Sequence, residues 1–283
     1  VYQGSQKYAL RDFTQQFHKV ELRSPNFFGR GYVTATDAGD SYNMAALGGL
    51  VNERISPTAT EWAPTYGQAY VLAMQGYIPG VPAGNSYAAH QAARAQADAG
   101  RPQVGSAEFN QLVDAVRNDY FQRDPAGAKF IDNSRLYHGE FNYNFAEQLT
   151  FAELQIGGNF RRYSLFSDGT IFNEDPEDGQ NFERINIDEF GVYTQLSKTF
   201  ADALKLTGSL RYDKNENSEG RVTRRVSAVY TFSETHNLRA SFQTGFRNPD
   251  TQAQYIYFPV GTSTLLGSSR ANAATAGNAM RPS

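Results

Sequence analysis

The fold is decided by the stretch Arg135-Leu-Tyr-His-Gly-Glu-Phe-Asn-Tyr-Asn-Phe145, in which large apolar side chains recur at every second position. One face of this stretch carries Tyr137 and Phe141, whereas the other carries His138 and Glu140. Successive side chains of a β-strand point to opposite faces, so a period of two residues predicts a strand. We therefore expect a strand with one apolar face and one polar face.

The same alternation recurs along the chain and predicts about nine strands. They are His18–Arg23, Phe27–Thr36, Tyr42–Val51, Arg135–Phe145, Ala152–Arg161, Phe190–Leu196, Leu204–Asp213, Val226–Phe232 and Leu238–Arg247. Neighbouring segments read as antiparallel hairpins, and together they predict an all-β protein.

The links between these strands alternate in length. Short links are Asp37–Ser41, Ala146–Gln148, Thr199–Ala203 and Ser233–Asn237, and the links at the opposite end are Asn52–Ser134, Arg162–Asn186 and Lys214–Gly220. A soluble sandwich or propeller has no reason to keep its tight turns at one end. An outer-membrane barrel does, since its periplasmic turns are short and its extracellular loops are long. The pattern therefore favours an antiparallel transmembrane β-barrel, present here in part.

The predicted barrel organises the chain into four segments. Residues 1–51 and 135–247 supply barrel strands, 52–134 form a long, partly helical extracellular loop, and 248–283 form an extracellular loop or a disordered end. Within the long loop we predict two short helices, Ser86–Ala99 and Ser106–Arg123, the second with Ser106 as its N-cap. We expect this loop to fold as a lid over the barrel mouth.

Composition excludes several classes of protein. No apolar stretch approaches the roughly 20 residues that a membrane-spanning helix needs. The chain has no cysteine, which excludes a disulfide scaffold. Its 26 Lys and Arg against 29 Asp and Glu leave a net charge of -3, so there is no basic excess to bind nucleic acid.

No catalytic or metal-binding motif emerges from the residue pattern. The four histidines, His18, His90, His138 and His236, are scattered, so we predict no catalytic residues, no metal site and no cofactor. His138 and Glu140 share a strand face, but two ligands do not make a zinc site. The acidic stretch Asn173–Gly179 has the composition of a calcium loop without its spacing, and a solvated loop tip is the alternative.

Arginines on the polar strand faces are the candidate ligand-binding residues. They either create a field that selects ligands in a polar lumen or form cross-strand charge pairs with acidic neighbours. The candidates on the wall are Arg161, Arg211, Arg239 and Arg247, and those in the lid are Phe109, Tyr120 and Phe121.

Three segments carry a resemblance to a known family. Leu204–Asn217, Val222–Phe232 and Asn237–Asp250, the last with its Gly-Phe-Arg-Asn-Pro motif, resemble the barrel of TonB-dependent receptors. Ser24–Phe28 and Tyr163–Thr170 are similar to Bacteroidetes-type members. Such receptors have a barrel of about 22 strands plugged by an N-terminal domain, so we expect an internal barrel fragment.

The resemblance implies energy-coupled uptake in the outer membrane, without enzymatic activity. Implied partners are outer-membrane lipid, the TonB complex through a plug domain absent from this chain, and a surface lipoprotein. The ligand is a small molecule, a peptide or a glycan. Two alternatives from other classes stay open, a passive porin or adhesin barrel and a soluble β-rich binding protein.

Overall fold

The computed structural model describes residues 2–3, 6–174, 182–233, 235–260 and 263–275. The strands are β1 (Tyr2–Gln3), β2 (Gln6–Ala9), β3 (Thr14–Arg23), β4 (Phe27–Asp37), β5 (Tyr42–Asn43), β6 (Arg135–Asn144), β7 (Glu153–Leu165), β8 (Ile185–Phe200), β9 (Leu204–Asn215), β10 (Arg221–Ser233), β11 (His236–Gln243), β12 (Tyr257–Val260) and β13 (Ser263–Leu266). The α-helices are α1 (Met44–Ile55), α2 (Ala63–Met74), α3 (Ser86–Ala97), α4 (Ala107–Asn118), α5 (Thr251–Tyr255) and α6 (Arg270–Thr275), and a π-helix spans Thr58–Trp62. Contacts divide the chain into two compact units, residues 1–12 with 39–130 and residues 13–38 with 131–283.

The larger unit is built on one antiparallel sheet. Among the described residues this sheet has eight strands in the order β11-β10-β9-β8-β7-β6-β4-β3. Every neighbouring pair is antiparallel, and the order follows the chain except where β4 pairs with β6. This meander confirms the predicted fold class, a mostly β protein that forms part of an antiparallel β-barrel.

The predicted strand Tyr42–Val51 is wrong. Only Tyr42 and Asn43 are extended, and helix α1 begins at Met44. The Asn43 side chain accepts hydrogen bonds from the backbone N–H groups of Ala45 and Ala46, at 3.0 and 3.2 Å. This N-cap stabilises the first turn of a helix whose opening residues are good helix formers.

Because that segment is helical, the link that follows β4 leaves the sheet at the end opposite to the one predicted. Asp37–Ser41 was predicted as a short turn, but it opens the long connection 38–134. The short turn nearest to it is 24–26, between β3 and β4. The two longest connections, 38–134 and 166–184, leave the same end of the sheet, as the barrel prediction requires.

The two faces of the sheet differ in polarity as the alternation predicts. Phe141, Phe160 and Phe190 are exposed on one face. On the same face of β8, Asp188 and Lys198 lie ten residue steps apart, about 33 Å along the strand. At the usual strand tilt this gives an apolar band about 25 Å tall.

The smaller unit is mainly helical. A three-stranded sheet of β1, β2 and β5 accompanies helices α1 to α4. The predicted helices Ser86–Ala99 and Ser106–Arg123 are present as α3 and α4, but α4 ends at Asn118, five residues before the predicted end. Ser106 caps α4 by accepting from the N–H of Phe109 at 3.1 Å. Helices α1 and α2 and the π-helix were not predicted.

Alanine packs the α2 and α3 pair closely. Ala69 and Ala73 on α2, and Ala89 and Ala93 on α3, are all buried. Small side chains let two helix backbones approach each other. At the edge of this pair, Trp62 Nε1 donates to Asp98 Oδ1 at 2.8 Å.

A second apolar cluster lies in the larger unit, beyond the ends of β7 and β8. Leu165, Phe172 and Ile187 are buried there, and Tyr255 from helix α5 packs against them. The backbone N–H of Tyr257 donates to the carbonyl of Ile171 at 2.9 Å. The segment that follows β11 is therefore anchored on the loop between β7 and β8.

Candidate functional site

The polar face of β7 to β9 carries a charged cluster around a glycine. The register places Asn159, Gly191 and Asp213 in one cross-strand row. Arg211 donates from Nε to both carboxylate oxygens of Asp213, at 2.8 and 2.9 Å, and from Nη2 to Asn159 Oδ1 at 2.6 Å. A Cβ on Gly191 would lie 2.9 Å from Asn159 Oδ1 and closer still to Arg211 and Asp213. The absent side chain of Gly191 is what leaves room for this cluster.

A second cluster extends along the same face toward β4. Arg161 donates from Nε to His138 Nδ1 at 3.1 Å, and His138 Nε2 lies 3.2 Å from Glu140 Oε2. Because Nδ1 accepts, the proton of a neutral His138 is on Nε2 and is donated to Glu140. Glu140 also pairs with Arg30, and Arg161 Nη1 lies 3.4 Å from Glu189 Oε1. The His138–Glu140 pair is thus part of a hydrogen-bonded chain.

A cavity of about 560 Å³ opens on this wall. Arg161, Glu189, Arg211 and Asp213 line it from the strands, and the segment Asn248–Gln254 lines it from the other side. A second cavity, of about 640 Å³, lies beside it under the turn that follows β9. Both volumes lie within the range of small-molecule binding sites in proteins, about 300 to 1,000 Å³.

The segment that covers the wall is not among the predicted ligand-binding residues. Asp250 caps helix α5 by accepting from the N–H of Ala253 at 2.6 Å. Asn217 Nδ2 then donates to Gln254 Oε1 and to the Tyr255 hydroxyl, both at 2.9 Å. The signal in the sequence is Asn-Pro-Asp at 248–250, which marks a helix start.

The predicted wall arginines separate into two groups. Arg161 and Arg211 line the same cavity, whereas Arg239 and Arg247 do not line it. Arg239 is exposed on β11 and Arg247 is exposed beyond its end. Arg161 and Arg211 both contact carboxylates, which favours the charge-pairing alternative for these two residues.

The predicted lid residues lie in the smaller unit. Phe109 is half-buried on helix α4, and Tyr120 and Phe121 follow that helix. The Arg123 guanidinium stacks 4.5 Å from the centre of the Tyr120 ring, and the N–H of Phe121 donates to the carbonyl of Lys129 at 2.7 Å. Their role in ligand binding stays a prediction.

The acidic stretch Asn173–Gly179 is described only at Asn173 and Glu174; residues 175–179 lie outside the described residues. Glu174 is buried, and its carboxylate accepts from the N–H groups of Ser167 and, at 2.8 Å, Gly169. Burial raises the pKa of Glu174 despite these two hydrogen bonds. Within the described part of the chain, no three His, Asp or Glu side chains are grouped as metal ligands.

Residues 24–281 match the family described as TonB dependent receptor-like, beta-barrel. No curated protein matches the chain. Among the described residues, no helix is long and apolar enough to cross a membrane.

Proposed function

This chain belongs to the β-barrel family of TonB-dependent receptors, and from that premise we propose that it serves the energy-coupled uptake of a ligand. The family consists of outer-membrane transporters, so the protein is placed in the outer membrane and the soluble binding-protein alternative is set aside. The observation that carries the proposal is the polar cavity of about 560 Å³ on the face opposite the apolar band. A ligand in that cavity would contact the lumen side of the wall.

In this proposal the extracellular loops capture the ligand and the barrel passes it inward. Arg161 and Arg211 would contact the ligand in the cavity, and Arg239 and Arg247 would contact it along the rest of the wall. Phe109, Tyr120 and Phe121 would contact it in the long loop. Gating would come from the TonB complex acting on a plug domain, and a surface lipoprotein would deliver the ligand. The assignment to a Bacteroidetes-type receptor belongs to the same proposal.

Two measurements on the purified full-length protein test this function without knowledge of the ligand. The first is the conductance of single molecules in a planar lipid bilayer, where a plugged transporter stays closed. The second is capture of the protein by the periplasmic domain of TonB. We expect a closed barrel that TonB captures. Steady open conductance would indicate a passive porin instead, and a closed barrel that TonB does not capture would indicate an adhesin.

A further inference from the structure

We propose that the smaller unit carries a redox-active tyrosine, Tyr66, which reduces one-electron oxidants of the oxyl and peroxyl radical class. Ligand uptake makes no use of such an activity, so this proposal is independent of the function above. In a chain without cysteine, phenol and indole rings are the side chains that give up a single electron most readily. The proposal rests on two stacked rings, Trp62 and Tyr66, each of which is hydrogen-bonded to a proton acceptor.

The proton acceptor of Tyr66 is a histidine on the neighbouring helix. The Tyr66 hydroxyl, on α2, is hydrogen-bonded to Nδ1 of His90, on α3. With the phenol as donor, Nδ1 accepts, and the proton of the neutral imidazole is on Nε2. An oxidised phenol is a strong acid and must lose its proton as the electron leaves. Because the imidazole is already in contact with the hydroxyl, electron and proton can leave Tyr66 in one step.

Ring stacking holds this pair in place. The rings of Tyr70 and His90 have their centres 4.4 Å apart and their planes inclined by 29°. On the other side, the Trp62 and Tyr66 rings are 5.1 Å apart and inclined by only 12°. Positions 62, 66 and 70 share one face because residues four apart on a helix are neighbours. Stacked at this distance, the indole can pass an electron to the oxidised phenol, so both rings can react with an oxidant.

The second stacked ring has its own acceptor. Trp62 Nε1 donates to Asp98 Oδ1 at 2.8 Å, and this carboxylate stabilises positive charge on an oxidised indole. The guanidinium of Arg94, 6.0 Å from the centre of the Trp62 ring, opposes that charge. An electron vacancy on Trp62 therefore gains by moving to Tyr66, where loss of the proton leaves a neutral ring.

The surroundings of Tyr66 leave His90 as the acceptor. No Asp, Glu, Lys or Arg occurs in residues 62–93. Helix α2 carries no charged side chain, and the one charged side chain of α3 is Arg94, which follows His90 by one turn. Within the described part of the chain, no carboxylate contacts Tyr66. The phenol proton therefore passes to His90 Nδ1.

The proposed step balances in electrons, protons and charge. The radical takes one electron from Tyr66 and becomes an anion, while the phenol O–H bond breaks and a new N–H bond forms at His90 Nδ1. The products are the neutral tyrosyl radical, the His90 imidazolium and the anion of the oxidant. A one-electron donor of the enediol or hydroquinone class then returns the electron, and His90 returns the proton.

The test uses flash-generated tris(bipyridine)ruthenium(III) as the oxidant of the purified full-length protein in detergent. Persulfate accepts the electron from the excited complex, and oxidising equivalents are kept below one per protein so that the most readily oxidised site reacts. Transient absorption and freeze-quench electron paramagnetic resonance identify the radical. We expect a tyrosyl radical in the wild type and an indole radical, on Trp62, in Tyr66→Phe. Tyr77→Phe removes a tyrosine that is 73% exposed on the same unit, and it should change nothing.

His90→Gln separates proton transfer from mere contact, since an amide oxygen accepts the hydrogen bond but is too weak a base to keep the proton. The rate of Tyr66 oxidation should fall at least about tenfold, a low value for a positioned proton acceptor. The wild-type rate should also fall as the pH is lowered from about 8 to about 5, the range in which histidine becomes protonated. In His90→Gln the rate should not depend on pH. If His90→Gln fails to fold, His90→Phe keeps the ring stacking and removes the acceptor.

Three results would overturn the proposal. The first is a wild-type radical that persists unchanged in Tyr66→Phe, which would place it on another tyrosine. The second is an oxidation rate in His90→Gln, or in His90→Phe, equal to that of the wild type. The third is a wild-type rate that does not change over this pH range, which would mean that His90 has a structural role only.

Discussion

The phenol ring of Tyr193 lies over the backbone of Gly157 on the neighbouring strand, where a Cβ would be 2.6 Å from the tyrosine hydroxyl. From this position the hydroxyl accepts a hydrogen bond from Asn142 Nδ2 at 2.8 Å, one strand farther along the sheet. The glycine therefore lets an aromatic side chain span three strands on the polar face. Close approach, and not flexibility, explains this glycine in the middle of β7.

We predict that Gly157→Ala displaces the Tyr193 ring and breaks its hydrogen bond to Asn142. The expected loss is about 1 to 2 kcal/mol of unfolding free energy, measured by urea denaturation of the protein in lipid vesicles. Gly139→Ala is the control, because a Cβ at Gly139 meets no atom within 4 Å. Equal losses in the two variants would show that backbone effects of glycine, and not the ring, account for the result.

The hydrogen bond between Trp62 and Asp98 predicts a pH-dependent signal in the smaller unit. The hydrogen bond from the indole N–H lowers the pKa of Asp98 below its usual 3.8. A hydrogen bond from Arg94 and the positive charges of Arg94 and Arg101 lower it further. A lowered pKa means that the stabilisation is present above pH 3.8 and is lost as the pH falls through the folded-state pKa. Trp62 is the single tryptophan of the chain, so its fluorescence emission should change in that acidic window.

Asp98→Asn is the matched variant for this titration, since it keeps an acceptor oxygen and removes the ionisation. Its Trp62 emission should not change as the pH falls below about 4, the range in which an ordinary aspartate, with a pKa of about 3.9, becomes protonated. An acid transition of equal size in Asp98→Asn would assign the signal to another group.

The buried carboxyl of Glu174 predicts the opposite pH dependence. Its pKa is raised above 4.5 because burial disfavours the charged form, with a smaller contribution from Asp168. The stabilisation is therefore fully present below pH 4.5 and is lost as the pH rises through the raised folded-state pKa. In Glu174→Gln this dependence should vanish. Urea denaturation at a series of pH values checks it, and a wild-type stability that rises over that window would contradict the expectation.

The sheet was predictable because each of its strands carries one clear signal. Alternation of apolar and polar residues in segments such as Leu204–Asp213 reports directly on a sheet with one apolar face. The segment Tyr42–Val51 failed because Ala, Leu and Gly there satisfy a period of two without preferring a strand. Asn43 was the usable signal, since an N-cap residue before helix formers marks a helix start.

The candidate site was predictable only in part, for a different reason. Arg161 and Arg211 follow from strand parity, which places both on the polar face. Their pairing with Glu189 and Asp213 depends on register between strands, which a single sequence leaves open. The contribution of Asn248 and Gln254 depends on a segment that folds back onto the wall, and such a long-range contact leaves no local pattern.

The apolar band on β8 predicts which positions face lipid. Val192 is exposed between Asp188 and Lys198 on the apolar face, and Thr223 lines the polar cavity. Glu219 is exposed in the turn between β9 and β10. Because the chain has no cysteine, a nitroxide on Val192→Cys, Thr223→Cys or Glu219→Cys reports on one position. In reconstituted protein, the label at 192 should collide mainly with oxygen, which concentrates in lipid. The labels at 223 and 219 should collide mainly with a water-soluble nickel chelate. Equal nickel access at 192 and 219 would mean that the exposed phenylalanines of this face do not contact a bilayer.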